Sequence, residues 1–276
     1  MQEFIFQNTY YRINSWQPDR RTLVFIHGLS GSSSAWVEYE KKFSPHYNLL
    51  SYDLCGHGKS AKSASAEDYQ IKIFARDLHE LIEFLKIKKP ILISHSFGTL
   101  IALEFQAQHP DCAAGTIFLS PRAEIGSEGF DGVAKKLLMV ANALVPNFTS
   151  AQPGRHIDYS KYLNTGDWNI RRMIADVGNT KLKVFLLCLL QSYEFNRRDL
   201  LPRIKIPTLI MYGKKDTIFP VRYGEAMAAE IPKADLVILD SADHILVLNH
   251  FPRVSAEIAK FMETKFGITA WLIDLG

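Results

Sequence analysis

Hydrophobic and polar positions along this chain follow two alternating periods. Short continuous apolar runs, Leu23–Ile26, Ile91–Ile93, Gly115–Leu119 and Thr208–Tyr212, read as strands buried on both faces. Tyr47–Tyr52 and Leu236–Leu239 complete that set, and Phe4–Phe6 and Tyr10–Ile13 are two shorter strand candidates before the turn at Pro18-Asp19. Between them lie stretches of helical period. The strongest is Glu67–Leu85, where Ile71, Phe74, Leu78, Leu81, Ile82 and Leu85 form one apolar face. Ser34–Phe43, Ser96–Gln108, Val221–Glu230 and Val254–Phe266 are further helices of the same alternation.

The alternation stops at Arg122 and resumes after Pro207. Between Arg122 and Ile204 the pattern predicts helices only, at Ala134–Leu144, Trp168–Val177 and Lys181–Phe195. Gly126, Gly129, Pro146, Pro153 and Gly154 punctuate them. Repeated strand–helix–strand units imply an α/β fold with a mostly parallel central sheet flanked by helices. The helical block is then an inserted cap. The expected division is 1–121 for the first part of the core, 122–204 for the cap and 205–276 for the rest of the core. The apolar tail Ile268–Gly276 has no assigned place.

Composition narrows the class. The 276 residues are 47% apolar and 22% charged, with a net charge of +3, an ordinary globular balance. No basic stripe interleaved with aromatics points to nucleic acid. The longest apolar run, Val184–Leu190, is far short of the roughly 20 residues that span a bilayer. Cys55, Cys112 and Cys188 are odd in number and far apart, forming neither a disulfide framework nor a zinc pattern. Reduced thiols and an N-terminus without signal-peptide character lead to the expectation of a soluble cytoplasmic protein.

The candidate chemistry lies at strand ends. Ile91–Ile93 runs through Ser94 and His95 into Ser96, Phe97 and Gly98, a strand turning directly into a helix. Such a turn strains its middle residue and lifts that side chain over the sheet edge, with small residues needed two positions either side. Ser96 is the candidate nucleophile. The Phe97 N–H at the helix start and the Leu29 N–H after the His27-Gly28 turn are candidate oxyanion donors, each worth roughly 3–4 kcal/mol to a transition state. A serine hydroxyl needs an imidazole base, which needs an orienting carboxylate. His244 follows the last strand and Asp216 the one before it, so both loops emerge at the sheet's carboxyl end beside Ser96.

These residues carry a resemblance to the α/β-hydrolase fold family. It spans nearly the whole chain: the His27-Gly28 turn, Asp53 to Ser60 (similar to the family's D-x-x-G-x-G-x-S loop), the elbow at Ser96, Gly213 to Asp216, and the late His244. Two positions depart from it. Ser94 stands where the elbow usually has glycine, and Asp243 stands before the histidine, where glycine is common. The resemblance implies a serine hydrolase cleaving a carboxylic ester or related acyl substrate through an acyl-enzyme, needing no metal or organic cofactor. Glu124 remains a rival for the triad acid, as some members seat it after that strand. His27, His57, His95 and His250 are expected to be structural. Trp36, Trp168, Phe185, Leu189, Phe219 and Ile245 are candidate pocket residues for a small-molecule substrate with an apolar portion. The same triad serves C–C bond, amide or thioester hydrolysis, acyl transfer and lyase reactions, and a silent receptor on this scaffold is a third possibility. The pattern says nothing about oligomeric state.

Overall fold

The computed structural model describes residues 1–124, 130–146 and 152–267. Eight strands form one sheet: β1 Gln2–Phe6, β2 Thr9–Ile13, β3 Thr22–Ile26, β4 Asn48–Tyr52, β5 Ile91–His95, β6 Gly115–Leu119, β7 Thr208–Gly213 and β8 Ala234–Leu239. Their spatial order is β1-β2-β4-β3-β5-β6-β7-β8. The β1–β2 and β2–β4 pairs are antiparallel, and every other pair is parallel. The fold is therefore the α/β class expected, with two antiparallel strands added at one edge.

Helices cover both faces. On one face α2 (Ile71–Phe84), α3 (Phe97–Gln108) and α7 (Arg222–Glu230) pack on a core holding Val24, Leu92, Phe118 and Ile210. On the other, α1 (Val37–Phe43) and α8 (Phe251–Phe266) pack on Leu23, Phe25, Ile93 and Met211. Burial on both sides accounts for the unbroken apolar runs of the central strands, whose residues in β3, β4, β6 and β7 are all buried.

Between β6 and β7 stand α4 (Phe130–Leu144), α5 (Ile170–Thr180) and α6 (Leu182–Glu194). Lys181, at φ 80°, turns the chain sharply between α5 and α6. Helix α6 is apolar nearly all round because it serves more than one neighbour. Val184 and Cys188 join the core beneath, while Phe185 and Leu189 face a cavity.

Two sequence expectations change. Glu67–Leu85 is not one helix: Ala66–Tyr69 is a 3₁₀ turn, and Gln70 is extended (φ −74°, ψ 141°) before α2 begins. Tyr69 is anchored away from the helix by its hydroxyl, which donates to Ser63 O at 2.8 Å. Likewise Ser33–Trp36 is a 3₁₀ turn ahead of α1. The loops at Gly126 and Gly129 and the tail 268–276 lie outside the described residues. Among the described residues no helix is long and apolar enough to cross a membrane.

Candidate active site

The sheet order brings the ends of β3, β5, β6, β7 and β8 side by side, and the candidate residues follow from those ends. Ser96 sits between β5 and α3 at φ 51°, ψ −117°, a backbone conformation that costs on the order of 1–3 kcal/mol. Gly98 is required by close approach, since a Cβ there would lie 2.6 Å from His27 O and 2.7 Å from Ile26 O. Ser94 fits where glycine is usual because its buried hydroxyl donates to Ile117 O on the adjacent strand at 3.3 Å.

Three side chains distant in sequence then meet. His244 Nδ1 lies 2.8 Å from Asp216 Oδ2, and His244 Nε2 lies 2.8 Å from Ser96 Oγ. A carboxylate only accepts, so the imidazole proton belongs on Nδ1, leaving Nε2 to accept from the serine hydroxyl. The other Asp216 oxygen takes the N–H groups of Ile218 at 3.0 Å and Phe219 at 2.7 Å, which fixes the carboxylate plane. All three side chains are buried. Glu124, the rival acid, is turned elsewhere: it accepts from Arg198 Nη1 at 3.0 Å and Asn196 Nδ2 at 3.2 Å. Asp243 accepts from Ile245 N and Asn249 Nδ2, and so braces its own loop.

The neighbouring histidines support the frame. His95 donates from Nε2 to His244 O at 2.9 Å, and burial pulls its pKa down to about 3, so it stays neutral. His27 donates from Nδ1 to Gly28 O and accepts from Leu54 N through Nε2. His57, also buried, is pushed down to about 3. The Leu29 and Phe97 amides, the candidate oxyanion donors, meet no acceptor among the described residues.

Asp53 organises the loops behind the site. It accepts from Ser33 N at 2.6 Å, Lys59 N at 2.7 Å and His156 Nε2 at 2.8 Å. Burial alone would raise its pKa, but the hydrogen bond and charge of His156 and the Ser33 N–H hold it down to about 2. His156 lies in the chain between β6 and β7, so this buried carboxylate ties that segment to the loops after β3 and β4.

A cavity of about 630 Å³ opens over Ser96 between the sheet edge and α5 and α6. Trp168, Phe185, Leu189, Phe219 and Ile245 line it. Trp36 does not and must be corrected. It is fully buried against Phe25 and Tyr39, with ring centroids at 5.1 and 5.2 Å, because its 3₁₀ turn points it into the core. Sequence reasoning missed two residues here. Arg122 is buried, donates to Ser192 O at 2.8 Å and lies 4.3 Å over the Phe219 ring. Asp167, just before α5, accepts from the backbone N–H of His244 at 2.7 Å and from Thr217. Neither sits in a recognisable motif, and only long-range contacts identify them.

One group among the described residues brings metal-binding atom types together: His79, His109 and Cys112, with atoms within 4.8 Å of one another. It lies at the far end of α3 from Ser96, roughly 18 Å away at 1.5 Å per residue. The two imidazoles stack at 3.7 Å and 11°, so their in-plane lone pairs run side by side rather than converging on one ion.

Comparison with known proteins bears on the family and the fold. The chain is 26% identical over 237 residues to a protein of Stutzerimonas stutzeri (strain A1501) named "Putative carbamate hydrolase RutD", covering 83% of this chain and 86% of the relative. MGS-M2, an alpha/beta hydrolase enzyme from a Medee basin deep-sea metagenome library, superposes with a TM-score of 0.73 at 23% identity, over 95% of this chain and 97% of that one. A thermophilic esterase from Thermogutta terrifontis gives a TM-score of 0.73 at 21% identity, over 93% of each chain. At these identities the superpositions speak to fold. The family profile described as the alpha/beta hydrolase fold matches residues 21–251, most of the chain, and the protein belongs to that family.

Proposed function

We propose that this protein is a serine hydrolase that cleaves a carboxylic ester or related acyl substrate through an acyl-enzyme on Ser96. The observation that carries the reading is the continuous relay of two 2.8 Å contacts, hydroxyl to imidazole to carboxylate, at a strained strand–helix turn. In this reading Ser96 Oγ attacks the carbonyl while His244 Nε2 takes its proton. Asp216 holds the tautomer and stabilises the imidazolium. The Leu29 and Phe97 amides receive the oxyanion, and His244 returns the proton to the leaving group. Water, activated by the same imidazole, then releases the acid. The largely apolar walls of the cavity support a substrate with an apolar portion.

The test is Ser96→Ala with a panel of small aryl esters. Loss of such a nucleophile costs on the order of 10⁶ in turnover. Turnover surviving near the parent level ends the proposal, as does failure of a fluorophosphonate to label Ser96 in the folded protein. Because one relative is named for carbamate hydrolysis, the panel includes an aryl carbamate beside thioester, amide and C–C substrates. Each presents a carbonyl to the same nucleophile, and product identification separates them.

A further inference from the structure

The base and its carboxylate ride on two separate loops, one after β7 and one after β8. Near their bases these loops are tied within the core, where Lys215 N donates to Ala242 O at 2.9 Å. Close to the reacting atoms His95 holds the His244 carbonyl from within the core, and a second tie comes from outside it. Asp167, only 6% exposed, belongs to the helical insertion. Its Oδ1 accepts the backbone N–H of His244 at 2.7 Å. Its Oδ2 accepts the N–H of Thr217 at 2.9 Å and the Thr217 hydroxyl at 2.7 Å. Thr217 is the residue directly after Asp216, so one carboxylate spans the residue that bears the base and the neighbour of the acid.

Asp167 is itself held in place. Arg172 Nη2 donates to its backbone carbonyl at 2.7 Å from the first turn of α5. Trp168 Nε1 donates to Thr217 Oγ1 at 3.0 Å, which orients that hydroxyl toward Asp167. A few residues earlier, Asn249 brackets the same segment, donating to Thr165 O at 2.8 Å and accepting from Asn164 N at 2.9 Å. The segment thus reaches the core at both loops. A charged acceptor with three short donors is a stiff joint. Catalytic geometry is intolerant of small errors, and a displacement of about 1 Å can cost about 100-fold.

We propose that Asp167 is a positioning residue for the reaction: docking of the insertion, through this carboxylate, sets the register of His244 against Asp216 and Ser96. The proposal rests on the triad reading above and adds that the core alone does not hold the triad in working geometry. Asp167 touches no reacting atom. Its effect passes through the two loops.

The experiment compares kcat and KM on one aryl ester for the full chain and six variants, each verified as folded by circular dichroism. Asp167→Ala is expected to lower kcat about 10- to 100-fold with KM within about threefold. Asp167→Asn, which keeps one accepting oxygen, falls between. Thr217→Val costs a few-fold, and the double variant Asp167→Ala/Thr217→Val is no worse than Asp167→Ala within about twofold, because both remove one joint. His156→Ala loosens the insertion at Asp53 instead. It lowers the melting temperature while kcat stays within about twofold. Ser96→Ala separates the two levels of the argument. If it stays active, the triad reading fails. If it is dead while Asp167→Ala keeps kcat within about twofold, only the present proposal fails. The proposal is equally overturned if the Asp167 loss appears in KM alone, or if His156→Ala reproduces it. Should Asp167→Ala not fold, the Asn and Thr217→Val comparisons carry the same test.

Discussion

Replacing Asp53 by asparagine removes a buried charge while keeping the side chain's shape. In the folded chain this carboxyl is held down to about 2, against an ordinary aspartate value of 3.8. Burial opposes that charge; the His156 hydrogen bond and charge and the Ser33 N–H outweigh it. The interval corresponds to about 2 kcal/mol of folding free energy. The sign follows from the protons. Above pH 3.8 the carboxylate is ionised in both states and the folded one holds it better, so the stabilisation is fully present. Between 3.8 and about 2 the unfolded chain binds the proton first and the stabilisation drains away. Below both values nothing of it remains. Urea unfolding of parent and Asp53→Asn, followed by tryptophan fluorescence at pH 7, 5 and 3, reads the difference directly. Sucrose can keep the acid arm folded where needed. The variant should be less stable by about 2 kcal/mol at pH 7 and 5, a melting-temperature loss of about 3–4 °C for a chain of this size. The gap should shrink clearly at pH 3. A gap of unchanged size at pH 3 would show that packing or neutral hydrogen bonds, rather than the ionised carboxylate, carry the effect, and would refute the reasoning.

Three further outcomes can be measured alongside. Gly98→Ala forces a methyl into the carbonyls of Ile26 and His27, so it should cost about 1–3 kcal/mol in stability and lower kcat by displacing the turn at Ser96, read by thermal melts and ester turnover. Asp216→Asn should reduce kcat by about 10⁴ by unsettling the imidazole tautomer, whereas Glu124→Gln should keep kcat and lose at most about 1 kcal/mol from its exposed pair with Arg198; the reverse ranking would make Glu124 the acid. Trp36→Ala should destabilise by about 3–5 kcal/mol with KM of the folded enzyme unchanged, and a large KM change at constant stability would return Trp36 to the pocket.

The sequence by itself determined the fold class and the stations along it. Strands buried on both faces must be apolar throughout, so Leu23–Ile26, Ile91–Ile93 and Thr208–Tyr212 announce themselves without any partner being known. A parallel sheet sends its loops out at one end, which is why the residues after β5, β7 and β8 could be named together before any distance was known. Backbone restriction is also local: Ser96 and Gly98 stand where a strand turns straight into a helix. Tertiary structure decided what periodicity does not encode. Gln70 breaks a helical pattern because the Tyr69 hydroxyl finds Ser63. Trp36 goes to the core because its turn faces Phe25 and Tyr39. Asp216 rather than Glu124 meets His244, although both follow strand ends, because a polar side chain's partner depends on where loops converge. Asp167 is the extreme case, a lone aspartate in a loop whose three donors lie 50 to 77 residues away along the chain. Burial is written into neighbouring residues, whereas hydrogen-bond partnership across such separations exists only once the chain has folded.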